Sequence, residues 1–149
     1  MSITMTVDRS GASPYSRFRW EDAASAWARD AAPLGQGILR AGAPVRTGKL
    51  RQDITFREER APGSYMIVFY STLAYARFVL GGTAPHVITA RNARALRWVA
   101  NSGHGPVRFA RSVNHPGTKP DPFPERAMPK IGPALGELFA RACKEAAEL

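Results

Sequence analysis

The sequence predicts an α+β domain in which an antiparallel sheet carries a long N-terminal helix and a C-terminal helix packed on one face. Three observations predict this class: apolar residues recur at helical spacing early in the chain, strand-like stretches follow, and helical spacing returns at the end. The chain has 149 residues, which is the length of one domain. We therefore expect a single domain over residues 1–149.

The start of the chain predicts a short strand and then a long helix. Residues 3–7 alternate as in a strand. From Ser16 to Gly42 an apolar stripe repeats at spacings of three and four, which is typical of an amphipathic helix. Pro33 predicts a kink, or a break at Ala32, because proline removes one backbone donor and crowds the preceding turn. The stripe consists of Trp20, Ala24, Trp27, Ala31, Leu34 and Ile38.

Several strand-like stretches occupy the middle of the chain. Residues 50–58 alternate between apolar and polar side chains and predict a half-buried strand. Residues 65–71 are apolar on both faces and predict a central strand, joined to the first by a turn at 61–64. Residues 106–113 alternate again, and short apolar runs within 86–100 predict a second, extended hairpin.

The end of the chain returns to helical spacing. We expect the helix to cover residues 133–147, with Pro129 and Pro133 at its start, where proline is tolerated. The residues just before it are expected to form a separate turn. The apolar stripe of this helix consists of Ile131, Leu135, Leu138, Phe139, Ala142 and Ala146.

The composition excludes several classes of protein. Hydrophobic residues make up 44% and charged residues 22%, which is typical of a globular chain. The single cysteine, Cys143, excludes an intramolecular disulfide and a zinc site built on paired thiolates. No apolar run is long enough to cross a bilayer, and the N-terminus lacks the pattern of a secretory signal. We expect a soluble protein made in a cytoplasm, with no membrane partner.

The net charge of +9 is unevenly distributed. No acidic residue occurs between Glu59 and Asp121. Such a field of one sign favours an acidic partner, which is either nucleic acid, an anionic membrane surface or an acidic face of a protein. The alternative is that these are solvated side chains of strands and loops. The basic residues of this window are Arg60, Arg77, Arg91, Arg94, Arg97, Arg108, Arg111 and Lys119.

Catalytic chemistry finds little support in the sequence. The histidines lack the spacing of metal ligands, and no phosphate-binding, dinucleotide-binding or hydrolase motif occurs, so we expect no cofactor and no metal. A small basic ribonuclease stays open as an alternative, because His115 and nearby arginines offer acid–base and phosphate-binding groups. The turn is the stronger interpretation of His115-Pro116-Gly117, because proline presets one dihedral angle and glycine allows a positive φ.

Four phrases of the sequence resemble a known family. The family is that of the neck proteins of long-tailed bacteriophages, minor virion proteins of tail completion and head–tail joining. The resemblance covers about residues 16–148. One position departs from the family pattern, since Leu80 stands where a glutamate is common. The phrases are APVRTGKLRQDI at 43–54, YARFVLGGT at 75–83, HVITARNARAL at 86–96 and HPGTKPDPFPERAM at 115–128.

The resemblance implies a fold like that of tail terminators and no enzymatic activity. It implies a ring homo-oligomer, a hexamer or a dodecamer, in the virion neck between the capsid portal or connector and the tail tube. The implied partners are adjacent head-completion, connector, tail-tube or tail-terminator proteins and phage DNA in the channel. The virion would be assembled in the bacterial host cytoplasm. The alternative function is a small basic nucleic-acid-binding module or ribonuclease.

The residues suggest how such a ring could form. A ring of one chain needs two different complementary patches on each subunit. The basic window is one candidate, and the acid-bearing end helices are the other. We expect an extended arm within 84–122 and a buried anchor at Phe123, held by flanking prolines. The candidate interaction residues are Thr47, Gly48, Arg91, Arg94, Arg97, Arg108, Arg111, His115 and Phe123.

Overall fold

A three-stranded antiparallel sheet and two long helices form the body of the molecule, which confirms the predicted α+β class. The computed structural model of the chain describes residues 1–8, 19–99 and 104–148. In chain order the elements are β1 (Ser2–Asp8), α1 (Trp20–Gly42), α2 (Lys49–Asp53), β2 (Thr55–Ala61), β3 (Ser64–Tyr70), α3 (Ala76–Gly81), β4 (His86–Thr89), β5 (Leu96–Val99), β6 (Val107–Ala110), β7 (Ser112–His115) and α4 (Phe123–Ala147).

The body sheet has the order β1-β3-β2, with both outer strands antiparallel to β3. The predicted turn at 61–64 joins β2 to β3, and Gly63 adopts a φ of 71° that suits glycine. The central place of β3 agrees with its uniformly apolar sequence. In the register, Ile3 and Phe56 both lie opposite Phe69.

Helix α1 packs on one face of this sheet, against β2 and β3, and α4 packs against α1. Trp27 connects the two layers: its indole Nε1 donates a hydrogen bond to the backbone oxygen of Leu135 at 3.0 Å. The same indole makes edge-to-face contacts with Phe139 of α4 and Tyr65 of β3. Because Trp27 is buried, its polar N–H needs this partner, which fixes α4 relative to α1.

At Gly35, α1 approaches Phe69 of the sheet closely. A Cβ atom built on Gly35 would lie 2.5 Å from Cζ of Phe69, well inside van der Waals contact. Gly35 is itself buried. The missing side chain therefore lets the Phe69 ring fill the space beneath the helix.

The long N-terminal helix differs from the expectation in two details. The predicted break at Pro33 is absent: α1 runs through it to Gly42, with Pro33 exposed on the outer side. Leu34, predicted to lie on the buried stripe, is 40% exposed, and Leu39 is buried instead. The predicted helix start at Ser16 lies outside the described residues.

The predicted strand at 50–58 is partly wrong. Residues Lys49–Asp53 form the short helix α2, and β2 begins only at Thr55. Leu50 and Ile54 are both buried, but they lie four residues apart, a spacing that fits a helix as well as a strand.

The predicted hairpin within 86–100 is also wrong in its pairing. Strand β4 pairs with β7, and β5 pairs with β6, both antiparallel. The stretch 106–113 is divided at Arg111, which separates β6 from β7. These four strands form a two-stranded ribbon in two sections, here called the ribbon, of which the structure describes residues 86–99 and 104–115. It separates α3 from α4 in the chain.

The C-terminal helix is longer than predicted. It starts at Phe123, ten residues before the expected start at 133, and continues without a separate turn. Pro124 sits in its first turn, which suits proline. Pro129 and Pro133 lie inside the helix on its exposed side, where each lacks one backbone donor.

Candidate interaction surface

Three of the phrases that carry the resemblance converge on one groove beside α2 and α3. The groove has a volume of about 660 Å³. Its walls are residues 44–50 of the first phrase, Tyr75, Phe78 and Val79 of the second, and Thr118, Lys119 and Asp121 of the fourth. The fold therefore brings together segments that are more than 60 residues apart in the chain.

The Thr47-Gly48 segment forms the turn between α1 and α2, and it lines the groove. Gly48 has a φ of 77°, which a side chain would strain, and its carbonyl starts the first hydrogen bond of α2. The backbone of this turn therefore favours glycine at position 48. The sequence predicted a junction between a helix and a strand here, whereas the structure has a junction between two helices.

Two arginines that the sequence did not predict hold α1 and α2 together. Each arginine donates hydrogen bonds to backbone carbonyls at the C-terminal end of the other helix. Arg40 of α1 donates to the backbone oxygens of Gln52 and Ile54 at 3.0 and 3.1 Å. Arg51 of α2 donates to the backbone oxygen of Ala43 at 3.3 Å. Carbonyls at helix ends have no partner within the helix, so these guanidinium groups satisfy them.

Asp53 connects the end of α2 to the end of β3. Its carboxylate accepts hydrogen bonds from the hydroxyl of Ser71 at 2.6 Å and from the backbone N–H and hydroxyl of Thr72 at 2.7 and 2.8 Å. The side-chain bonds from Ser71 and Thr72 hold the pKa of Asp53 below its ordinary value. This network fixes the loop that leads to Tyr75.

Four residues join the two ends of the ribbon, and we call Gly82, Thr83, Gly117 and Thr118 the Gly-Thr clasp. The backbones of Thr83 and Thr118 exchange hydrogen bonds in both directions, at 3.0 and 3.1 Å, and their hydroxyls lie 3.0 Å apart. Both glycines have positive φ, and a Cβ on Gly117 would collide with the backbone oxygen of Thr83. The clasp therefore accounts for both glycine-threonine pairs of the resemblance.

Large apolar side chains are exposed along the groove. Val45 is 57%, Tyr75 41% and Phe78 46% exposed. The guanidinium of Arg77 lies over the Phe78 ring, 4.6 Å from its centroid. Tyr75 and Phe78 lie three residues apart at the start of α3, a spacing that places both on one side of a helix. The sequence contains this spacing, but the predictions above did not use it.

The ribbon carries the densest part of the basic window. It contains five arginines and no acidic residue, and these five are exposed. They form no ion pair with any residue in the described part of the chain. Apolar side chains are exposed beside them, with Phe109 at 66%. The five arginines are Arg91, Arg94, Arg97, Arg108 and Arg111.

His115 is part of the ribbon base. It pairs with His86 across the strands, and the two ring centroids lie 5.0 Å apart. Its Nδ1 lies 3.1 Å from the backbone N of Gly117, which donates to it across the turn. His115 therefore has a local role in holding the turn that leads to the clasp.

Phe123 lies in the body of the subunit, away from the ribbon. It is the first residue of α4, is 1% exposed, and belongs to the hydrophobic core cluster. The structure thus places Phe123 in the protein's own core, and the backbone after it is helical. The extended arm expected within residues 84–122 therefore does not continue past Pro122.

Groups for metal or thiol chemistry do not come together in the described ranges. Within residues 1–8, 19–99 and 104–148, no three metal-ligating side chains form a cluster. Burial raises the pKa of the Cys143 thiol, which lowers its reactivity at neutral pH. Among the helices of the same ranges, none combines the length and apolar character of a membrane span.

The α+β body thus carries an exposed groove with apolar side chains and a ribbon with five exposed arginines. Residues 11–79 match the model of a family described as "Bacteriophage HK97-gp10, putative tail-component". The match confirms the resemblance to a family of phage tail proteins. It spans α1, α2, β2 and β3, including Thr47-Gly48, and ends within α3. No match was found among curated proteins or among solved structures.

Proposed function

We propose that this protein is a structural component of a bacteriophage virion that forms a ring in the neck and joins the capsid connector to the tail tube. The family match supports the coarser part, a phage tail component, and hence a location in the virion and a non-enzymatic role. The ring in the neck is the more specific part of the proposal. The observation that supports it is the ribbon, whose apolar and basic side chains are exposed.

The ribbon needs a surface to pack on. A two-stranded ribbon is only marginally stable by itself in water. No described residue of the ribbon belongs to the hydrophobic core cluster, and Val87, Val107 and Phe109 are exposed. We propose that a second copy of the chain covers these side chains, in a head-to-tail contact whose rotation from subunit to subunit closes into a ring.

The charges of the subunit indicate that the ribbon would pack on the helical layer of the neighbouring subunit, which consists of α1 and α4. Glu21, Glu125 and Glu137 are exposed on α1 and α4 and form no ion pair within the described part of the chain. The ribbon arginines are likewise without ion pairs there. Docking the ribbon on the helices of the next subunit would pair these charges and shield the apolar side chains.

The test measures the mass of the purified protein by multi-angle light scattering and views it by negative-stain electron microscopy. The wild-type protein should form closed rings. Replacing Arg91, Arg94 and Arg97 together by Glu should leave a folded monomer, because the reversed charges repel the carboxylates of the neighbour. Replacing the same three by Lys keeps the charge and should preserve the rings.

Two outcomes would overturn the ring. The wild-type protein could stay monomeric at every concentration tested, or the triple Glu variant could assemble as well as the wild type. The circular dichroism spectrum of each variant provides the check on folding.

The second candidate function is a nucleic-acid-binding module or ribonuclease, which the five ribbon arginines favour. It predicts a monomer that cleaves RNA and loses that activity on His115→Ala. The ring predicts no RNA turnover.

A further inference from the structure

We propose that the groove beside α2 and α3 is a docking site for an acidic, partly apolar segment of a different protein. This proposal rests on the proposed function for the identity of that protein, a neighbouring component of the neck, and for part of the argument against a second copy of the chain. The site lies in the body of the subunit and does not include the ribbon strands.

The apolar floor of the groove argues for a protein ligand. Val45, Leu50 and Val79 line it with aliphatic side chains, and Tyr75 and Phe78 add aromatic surface. Three of these five are large side chains exposed to water, and they lie together rather than scattered over the surface. Aliphatic side chains bury apolar protein groups but offer no stacking surface to bases.

The rim of the groove argues that the ligand is acidic. Arg46, Lys49 and Lys119 line the groove, and none of them forms an ion pair with another described residue. The one acidic residue in the wall, Asp121, is already paired with Arg126. The groove therefore presents uncompensated positive charge around an apolar floor.

The charge balance of the chain argues against a second copy as the ligand. The net charge is +9, and most carboxylates are already used inside the subunit. Asp53 accepts three hydrogen bonds from Ser71 and Thr72. Ion pairs engage Asp22, Asp30, Glu58, Glu59, Asp121 and Glu145.

The free carboxylates of the helical layer are those that the ring would pair with the ribbon. After ring closure the subunits have few acidic groups left for the groove. An acidic segment must then come from another protein, and its charge would also speed its association with this basic surface.

The experiment measures the binding of fluorescein-labelled peptides by fluorescence anisotropy. The probe is a peptide of alternating Glu and Leu residues. One control peptide replaces Glu by Lys, and a second replaces Leu by Ser. The Glu-Leu peptide should bind best, and its affinity should fall as salt is added, because salt screens the cationic rim.

Variants of the groove locate the binding. Phe78→Ala should weaken the peptide by about tenfold or more, as truncation of a central aromatic contact commonly does. Lys119→Glu should weaken it as well. Phe109→Ala on the ribbon is the matched control, since it removes a phenylalanine that is even more exposed, at 66% against 46%, and should leave the affinity unchanged. Phe78 is nearly half exposed, so its variant should retain the wild-type melting temperature.

Three results would overturn the proposal: no binding of the Glu-Leu peptide, equal binding of the Glu-Leu and Lys-Leu peptides, or an affinity that Phe78→Ala and Lys119→Glu leave unchanged. A labelled DNA duplex whose binding falls with the same two variants would assign the groove to nucleic acid instead. Mass measurements on the same samples separate this proposal from the ring. A monomer that binds the peptide through the groove retains the docking site and refutes the ring.

Discussion

At the scale of single residues, the clearest constraint is a glycine that brings a helix against an aromatic ring. Gly35 of α1 lies over Phe69 of β3, where a Cβ would come within 2.5 Å of the ring. Gly37 is only two residues away but faces open space, and a Cβ added there would meet nothing within 4 Å. The same substitution at the two sites therefore has opposite consequences.

Gly35→Ala should destabilise the folded state by about 1 to 3 kcal/mol, the usual cost of overpacking a filled core. Gly37→Ala should stabilise it by about 0.5 to 1 kcal/mol, because alanine loses less conformational entropy in a helix. Urea unfolding followed by circular dichroism measures both. Equal effects of the two substitutions would show that α1 does not approach β3 this closely.

Asp53 should make stability depend on pH in the acidic range. Its pKa is lowered in the folded state, so its contribution is complete above the unfolded value of about 3.9 and is lost as the pH falls through the folded value. Asp53→Asn should be less stable than the wild type at pH 7, and the difference should shrink below about pH 4. Thermal unfolding at several pH values measures it. If the difference in stability between the two proteins did not change with pH, the loss in Asp53→Asn would not come from the charge of the carboxylate.

At the scale of elements, helix α4 shows how packing overrides local preference. Pro129 and Pro133 each remove a backbone hydrogen bond from its interior. Both face outward, while Phe123, Ile131 and Leu135 on the other side are buried. The contact with α1 and the burial of Phe123 hold the first turns in the helix.

Phe123→Ala should lower the stability of the isolated chain by about 3 to 5 kcal/mol, because it leaves a cavity in the core. That is a large share of the roughly 5 to 15 kcal/mol of a typical domain. Met128→Ala, on the exposed side of the same helix, is the matched control and should change little. The melting temperatures measure both. An unchanged melting temperature for Phe123→Ala would refute its place as an internal anchor.

Elements whose local sequence pattern fits only one kind of secondary structure were predictable from the sequence. They are the apolar stripe of α1, the apolar run of β3 and the Pro62-Gly63 turn. Helix α2 was not predictable, since Leu50 and Ile54 fit two periods and the caps by Arg40 and Arg51 come from distant parts of the chain. Strand pairing in the ribbon was missed because alternation reports a strand but not its partner.

At the scale of the whole molecule, the candidate surfaces were predictable only as segments. The resemblance singled out Thr47, Gly48 and the phrases around Tyr75 and Thr118, and the fold joins them in one groove. The apolar floor of the groove, which includes Val45 and Phe78, was indicated in the sequence only by the spacing of Tyr75 and Phe78. Exposure is a property of the complete fold, so a single sequence does not reveal which apolar side chains are left in water.

The Gly-Thr clasp also has a consequence for loop-closure entropy. Closing a flexible loop costs more as it lengthens, but each doubling adds only about 0.6 kcal/mol. The bridge between Thr83 and Thr118 closes the ribbon segment on itself, so the path from α3 to α4 stays short whatever lies between them. Insertions or deletions in the ribbon should therefore leave the body's stability nearly constant. The length of the ribbon can therefore change in evolution while the body of the protein stays the same.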